Sequence, residues 1–148
     1  MNHPYSWKNA ILKRCIDGDT VEVDLYQDVG FKQEIKHNVI LRLFGINAPE
    51  IVGEGKAQGI AATEWLRDRL FSRPFSVITL KPDKYGDRYL ALLIDRERAK
   101  SLALNVLSDM EVLYELPGKI DKFFPETVNS EVIRSGHAKP WDGTGKKP

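Results

Sequence analysis

Two aspartates flank a glycine in the stretch Cys15-Ile16-Asp17-Gly18-Asp19-Thr20-Val21, which lies between two apolar runs. Asp-Gly in this setting predicts a tight hairpin turn, because glycine tolerates the positive φ that such turns require. The turn places the carboxylates of Asp17 and Asp19 side by side, where they repel each other unless a positive group lies near them. A hard cation is one candidate for that group. A solvated hairpin with ordinary turn aspartates is the alternative.

A second polar cluster combines Arg42 with the run Asn47-Ala48-Pro49-Glu50. Arg42 interrupts an apolar strand, and it could simply lie on the solvent face. Asn47 offers an amide oxygen, and Pro49 restricts Ala48 to an extended conformation that fixes the direction of its carbonyl. Glu50 adds a carboxylate. Carboxylate, amide and backbone oxygens together are the ligands that calcium uses in proteins.

A third cluster, Lys84-Tyr85 with Arg88, lies in the loop between two predicted strands. All three clusters fall at strand ends or in loops, where functional groups are usually displayed. Exposed loops and surface ion-pair networks contain the same residue types, so a purely structural role is the alternative for each cluster.

The elements that must position these clusters follow from hydrophobic periodicity. An extended run with alternating Val39, Leu41 and Leu43 ends before Gly45. It follows two shorter strands and precedes a helix and two more strands. This order predicts an α+β, mainly β fold: a five-stranded OB-type barrel, closed by antiparallel pairing, with flanking helices. The predicted bounds are 8–16 and 20–26 for the first strands, 56–71 for the helix, and 75–81 and 89–95 for the last strands.

A short second helix is predicted from Asn129 to Ser135, with Asn129 as its N-cap and Gly136 as its stop. Residues 96–125 fit a strand and a helix equally well and are interpreted as an insertion. Residues 140–148 are interpreted as a flexible tail. The length of 148 residues predicts one domain that spans the whole chain.

Composition narrows the classes of function. The chain has 42% apolar and 29% charged residues and a net charge of +1, so phosphate binding would depend on a local cluster of arginine and lysine. No apolar run approaches membrane-spanning length, and the N-terminus lacks a basic-then-apolar leader, which favours an intracellular location.

Metal-binding by sulfur or imidazole is not indicated. Cys15 is the single cysteine, so the chain has no internal disulfide or thiolate cluster, and a small buried hydrophobe is its expected role. His3, His37 and His137 are scattered without the spacing of zinc ligands. Trp65 is expected in the core, and Trp7 and Trp141 are expected to cover the surface.

Four stretches, taken in order, resemble the staphylococcal nuclease (thermonuclease) family. Each stretch is modest alone, and the ordered set is specific. The resemblance covers most of the chain outside 96–125. The stretches are Ile16-Asp17-Gly18-Asp19-Thr20, Arg42 to Glu50, Asp83-Lys84-Tyr85-Gly86 with Arg88-Tyr89-Leu90-Ala91, and Val128 to Gly136.

The resemblance implies an OB-type barrel with a calcium-dependent phosphodiesterase site. It matches Asp19, Asn47 and the Ala48 carbonyl to the three protein ligands of calcium. It matches Glu50 to the glutamate that acts on the attacking water. Asp17 is expected to support the turn.

The same resemblance implies how the substrate is held. Arg42 and Arg88 match the two arginines that bind the scissile phosphate, and guanidinium forks suit a phosphate geometrically. Lys84 and Tyr85 match residues that contact a neighbouring phosphate.

Some residues depart from the family pattern. Members typically have aspartate where this chain has Asn47, which removes one negative charge and predicts weaker calcium binding. Ala48 replaces a residue that often has a hydroxyl group, and Asp87 lengthens the turn before Arg88. The family's long C-terminal helix has no counterpart after Lys139.

The expected function is a calcium-dependent nuclease with little sequence specificity, acting on DNA, with RNA as a second candidate substrate. The alternative is a non-catalytic nuclease-like OB module that binds nucleic acid or protein. Such modules usually lack one or more working side chains, whereas Arg42, Glu50 and Arg88 are all present. No obligate protein partner and no membrane association are expected.

Overall fold

A computed structural model describes residues 5–82, 88–99, 120 and 124–141. Each strand predicted with bounds is present, and most of them are longer than predicted. The strands are β1 (Tyr5–Asp17), β2 (Thr20–Val29), β3 (Lys32–Leu43), β4 (Ile46–Asn47), β5 (Phe75–Pro82), β6 (Tyr89–Asp95) and β7 (Lys139–Pro140); the helices are α1 (Lys56–Ser72) and α2 (Val128–Arg134), and a 3-10 turn spans Arg96–Arg98.

Five strands form a closed barrel in the order β1-β2-β3-β6-β5, and β5 pairs back onto β1. The predicted OB-type barrel with flanking helices is therefore confirmed. The expectation of purely antiparallel pairing is wrong at one position, because β3 and β6 pair in parallel from Leu41↔Tyr89 to Leu43↔Ala91. Parallel neighbours require a long connection, and here α1 and β5 provide it.

The hydrophobic core fills the barrel and continues beneath α1. Val21, Val23 and Leu25 alternate inward along β2, as predicted from their period. Helix α1 buries one face, and its buried residues are Gly59, Ala62, Leu66 and Leu70. Among the described helices, none is long and apolar enough to cross a membrane.

The start of α2 differs from the prediction. Thr127, not Asn129, is the N-cap, and its side-chain oxygen accepts a hydrogen bond from the Ser130 backbone N–H at 3.2 Å. Gly136 follows the helix with φ of 84°, which matches its predicted role as the stop.

Asn129 is fully buried and joins α2 to the parallel strand pair. Its amide nitrogen donates to the carbonyl oxygens of Phe44 and Ala91, each at 2.9 Å. Its amide oxygen accepts from the Leu93 backbone N–H at 2.9 Å. The pairing of β3 with β6 ends at Leu43↔Ala91. The Asn129 side chain therefore extends the hydrogen bonding at the end of this strand pair, where the Ala91 carbonyl also accepts from the Phe44 backbone N–H at 2.9 Å.

A buried ion-pair network joins α1, β6 and α2. The Arg69 guanidinium donates to the Asp95 carboxylate at 2.8 Å and also contacts Glu131. Arg73 lies 3.1 Å from the same Asp95, but its side chain is 52% exposed, compared with 9% for Arg69. Arg69 is therefore the residue that connects the three elements internally.

Several predicted features fall partly or wholly outside the described residues. They are most of the insertion at 96–125, most of the tail at 140–148, and the loop residues Lys84 and Tyr85.

Candidate functional site

The β1–β2 turn packs tightly against its surroundings. A Cβ on Gly18 would lie 2.7 Å from the Ala62 Cβ and 2.8 Å from the Ala48 Cβ. The positive φ predicted for Gly18 is wrong, since its backbone lies outside the left-handed region. Glycine is needed here because α1 and the loop after β4 approach too closely for any side chain.

Asp19 is a buried acceptor at the centre of the site. One carboxylate oxygen, Oδ2, accepts from the Ala48 backbone N–H at 2.8 Å, and Oδ1 accepts from the Thr20 hydroxyl at 2.9 Å. The Asp19 backbone N–H donates to Asp17 Oδ1 at 3.0 Å. Asp17 thus contributes to the turn, and Asp19 connects the turn to the loop after β4.

Arg42 points into this site. It is only 7% exposed, so the solvent-face alternative is wrong. Its Nη1 donates to the carbonyl oxygens of Leu43 at 3.2 Å and Ile46 at 3.0 Å. Its Nη2 donates to Asn47 Oδ1 at 3.4 Å and lies 3.5 Å from Asp19 Oδ2. One guanidinium therefore faces both predicted side-chain ligands of calcium.

Trp141 adds a contact that the sequence did not indicate. Its ring centroid lies 5.2 Å from the Arg42 Cζ, and its backbone N–H donates to the Gly45 carbonyl at 2.9 Å. The preceding strand β7 pairs with β4, which places Lys139 opposite Asn47. Trp141 is half-buried, which is compatible with the predicted surface cover. Its contact with Arg42 was not predicted, because this two-residue pairing is too short to leave a periodic signal.

The loop that contains Glu50 is held by its backbone. A Cβ on Gly59 would lie 2.1 Å from the Glu50 carbonyl oxygen and 2.9 Å from that of Pro49. The loop therefore rests directly on the first turns of α1, and the Glu50 side chain is exposed. Glu50 is in a position to meet a molecule arriving from solvent.

Arg88 lies immediately before β6 and is half-buried. The next residue, Tyr89, pairs with Leu41, which adjoins Arg42 in β3. The parallel strand pair thus places Arg88 just before the strand that pairs with β3, which contains Arg42. Lys84 and Tyr85 lie outside the described residues, so their contact with the substrate stays a prediction.

The pKa values of the two turn aspartates, Asp17 and Asp19, shift in opposite directions. Burial, followed by the hydrogen bond and charge of Asp19, raises the pKa of Asp17 to about 7. Burial also opposes ionisation of Asp19, but its hydrogen bond with Asp17, the Arg42 charge and the Ala48 N–H outweigh burial and lower its pKa. Below pH 7 the pair therefore has about one negative charge, located on Asp19.

Asp19, Asn47 and Ala48 offer oxygen atoms, the type of ligand that a hard cation prefers, but they include only one negatively charged side chain. The Asp19 carboxylate, the Asn47 amide and the Ala48 carbonyl are all oxygen donors, as calcium prefers. No group of three or more His, Cys, Asp and Glu side chains suited to a metal occurs within the ranges 5–82, 88–99 and 124–141. Asp19 is the one carboxylate among these three residues, so the set offers a cation a single negative charge.

No protein-family model matches this sequence, and no curated protein matches it either.

Proposed function

We propose that this protein is a calcium-dependent nuclease that hydrolyses phosphodiester bonds of DNA with little sequence specificity, with RNA as a second candidate substrate. The observation that carries this proposal is the convergence of Asp19, Arg42, Asn47 and Ala48 at one end of the barrel, with contacts of 2.8–3.5 Å. Asp19 is distant in sequence from Arg42, Asn47 and Ala48, and all four are residues that the resemblance to the staphylococcal nucleases selects.

Each residue has a defined task in this proposal. Asp19, Asn47 and the Ala48 carbonyl would hold calcium, which supplies positive charge beside the scissile phosphate when bound. Arg42 and Arg88 offset the negative charge that grows on the phosphate oxygens as water adds.

Glu50 is the base in this scheme. Its exposed carboxylate can orient the attacking water and accept its proton. The close packing of the Glu50 backbone on Gly59 limits how far this carboxylate can move.

A cleavage assay tests the proposal. Purified protein is incubated with single-stranded DNA, duplex DNA and RNA, in calcium or in chelator. We expect cleavage in calcium, its loss in chelator, and a decrease of about 100-fold or more for Glu50→Gln and Arg42→Ala. No cleavage with any divalent ion, or undiminished cleavage in both variants, would exclude the nuclease proposal.

Asn47→Asp tests the assignment of the cation ligands. The added carboxylate should lower the calcium concentration for half-maximal cleavage by about tenfold, because affinity for calcium rises with ligand charge. Asn47→Ala is the matched control and should raise that concentration. An unchanged midpoint in the Asn47→Asp variant would contradict the assignment.

A non-catalytic module that binds nucleic acid or protein is the second candidate. The contacts of Arg42 favour it, because both terminal nitrogens already donate to acceptors within the protein. This candidate predicts binding to an oligonucleotide without cleavage in any divalent ion, and binding that is insensitive to Glu50→Gln.

A further inference from the structure

The Trp141 ring packs against the guanidinium of Arg42. The Cζ of Arg42 lies 5.2 Å from the ring centroid, which is within the range of cation–π attraction. The Arg42 side chain is only 9% exposed, so water screens this attraction weakly. The contact is therefore stronger than a similar pair on an open surface.

The ring is fixed by the same short sheet that fixes Arg42. The Trp141 backbone N–H donates to the Gly45 carbonyl at 2.9 Å, next to β4. Strand β4 also supplies the Ile46 carbonyl, which accepts from Arg42 Nη1 at 3.0 Å. Since β7 pairs with β4, ring and guanidinium are held relative to one another by backbone on both sides.

Nη1 of Arg42 also donates to the Leu43 carbonyl at 3.2 Å, whereas the contacts of Nη2 are long. Nη2 lies 3.4 Å from Asn47 Oδ1 and 3.5 Å from Asp19 Oδ2, both at the limit for a hydrogen bond. Because these contacts are long, they only weakly restrain the Nη2 side of the guanidinium. The Trp141 ring packs against the guanidinium and limits the reorientation of Arg42 that these long contacts allow.

We propose that Trp141 is a positioning residue for Arg42, which holds the guanidinium in the orientation that meets a phosphodiester. The inference rests on the proposed function to the extent that Arg42 binds the substrate phosphate. Trp141 acts through Arg42 and not on the substrate, so its effect must vanish when Arg42 is removed.

The test is a double-mutant cycle with two replacements of Trp141. Trp141→Leu keeps an apolar but smaller side chain and removes the aromatic face, whereas Trp141→Phe keeps an aromatic face. With a single-stranded oligodeoxynucleotide, Trp141→Leu should lower kcat/KM about 3- to 30-fold, and Trp141→Phe should restore most of the loss. In an Arg42→Ala background, Trp141→Leu should change oligonucleotide affinity less than about twofold.

A purely structural role predicts another pattern. It would lower the midpoint of thermal unfolding and weaken oligonucleotide binding equally with and without Arg42. Equal losses in both backgrounds, or a Trp141→Leu variant with wild-type kcat/KM, would overturn the inference.

Binding of the same oligonucleotide in chelator separates this inference from the nuclease proposal. If the protein binds without cleaving, and Trp141→Leu weakens binding only while Arg42 is present, the positioning role stands and the catalytic proposal fails. If the protein cleaves and Trp141→Leu changes nothing, the positioning role fails alone. If the protein neither binds nor cleaves the oligonucleotide, both the positioning role and the nuclease proposal fail.

Discussion

Asp17 and Asp19 have identical side chains and lie two residues apart, yet their pKa values differ because their surroundings differ. Asp17 Oδ1 accepts from the backbone of Asp19, and Asp19 receives the Ala48 N–H and the Arg42 charge. Since the pKa of Asp17 is raised to about 7 and that of Asp19 is lowered, the proton of the pair resides on Asp17 as the pH falls below about 7. Protonation of the half-buried Asp17 removes the repulsion between its carboxyl group and that of the buried Asp19.

Asp17 gives the stability of the protein a pH dependence near neutrality. Its pKa is about 7 in the folded protein, whereas the ordinary value for an aspartate is 3.8, so the folded state binds more protons between these values. The stabilisation is therefore full below about pH 4 and is lost as the pH rises through about 7. In chelator, we expect the Asp17 contribution to lower the midpoint of thermal unfolding, followed by circular dichroism, as the pH rises from about 4 to about 7.

Asp17→Asn is the control for this prediction. The amide mimics the protonated carboxyl and does not titrate, so the variant should lose the part of the pH slope that Asp17 causes. Parallel pH profiles for the two proteins would show that Asp17 titrates normally in the folded state.

At the level of elements, the contact between α1 and the loop after β4 sets where Glu50 lies. Gly59→Ala should destabilise the protein by about 1–3 kcal/mol, because the added methyl overlaps the Glu50 carbonyl and the backbones must separate. Intrinsic helix propensity predicts the opposite sign, a gain of about 1 kcal/mol. Denaturant unfolding measures the change, and cleavage should fall as Glu50 moves.

Ala61 provides a matched control on the exposed face of the same helix. Ala61→Gly should cost about 1 kcal/mol from propensity alone and leave cleavage unchanged. If Gly59→Ala stabilised the protein, the close packing of the loop on α1 would be refuted.

The elements themselves were mostly predictable, since alternation along β2 and the 3.6-residue period of α1 reflect burial directly. The parallel pairing of β3 with β6 was not, because strand direction depends on a connection and not on local pattern. The role of Asn129 was missed for a related reason. Its polarity suits a helix cap locally, whereas its partners Phe44 and Ala91 are distant in sequence.

At the level of the whole molecule, Arg69 holds the two helices and the barrel together. Arg69→Ala would leave Asp95 buried without its closest charge partner, so we expect a loss of about 3–5 kcal/mol in the free energy of unfolding. Arg73→Ala removes a second arginine from the same carboxylate, but its exposed side chain should contribute less than about 1 kcal/mol.

Urea unfolding of the two variants side by side measures this difference. Equal losses for Arg69→Ala and Arg73→Ala would mean that burial does not determine the strength of these pairs. A cleavage assay should show both variants active wherever they remain folded.

The candidate site was predictable in part. The ordered motifs selected Asp19, Arg42 and Asn47, and the fold brings these three within hydrogen-bond reach. Trp141 was not selected, because its contact with Arg42 depends on a two-residue strand pairing across the molecule. The sequence also could not predict why glycine is needed at position 18, because the crowding comes from Ala62, which lies in the separate helix α1.

The pairing of β7 with β4 has a consequence for biosynthesis. A chain is made from its N-terminus, and domains fold as units once their parts have emerged. The Gly45 carbonyl and β4 are made early, yet their partners are residues 139–141. The pocket around Arg42 therefore stays incomplete on the ribosome until nearly the whole of this sequence has been translated.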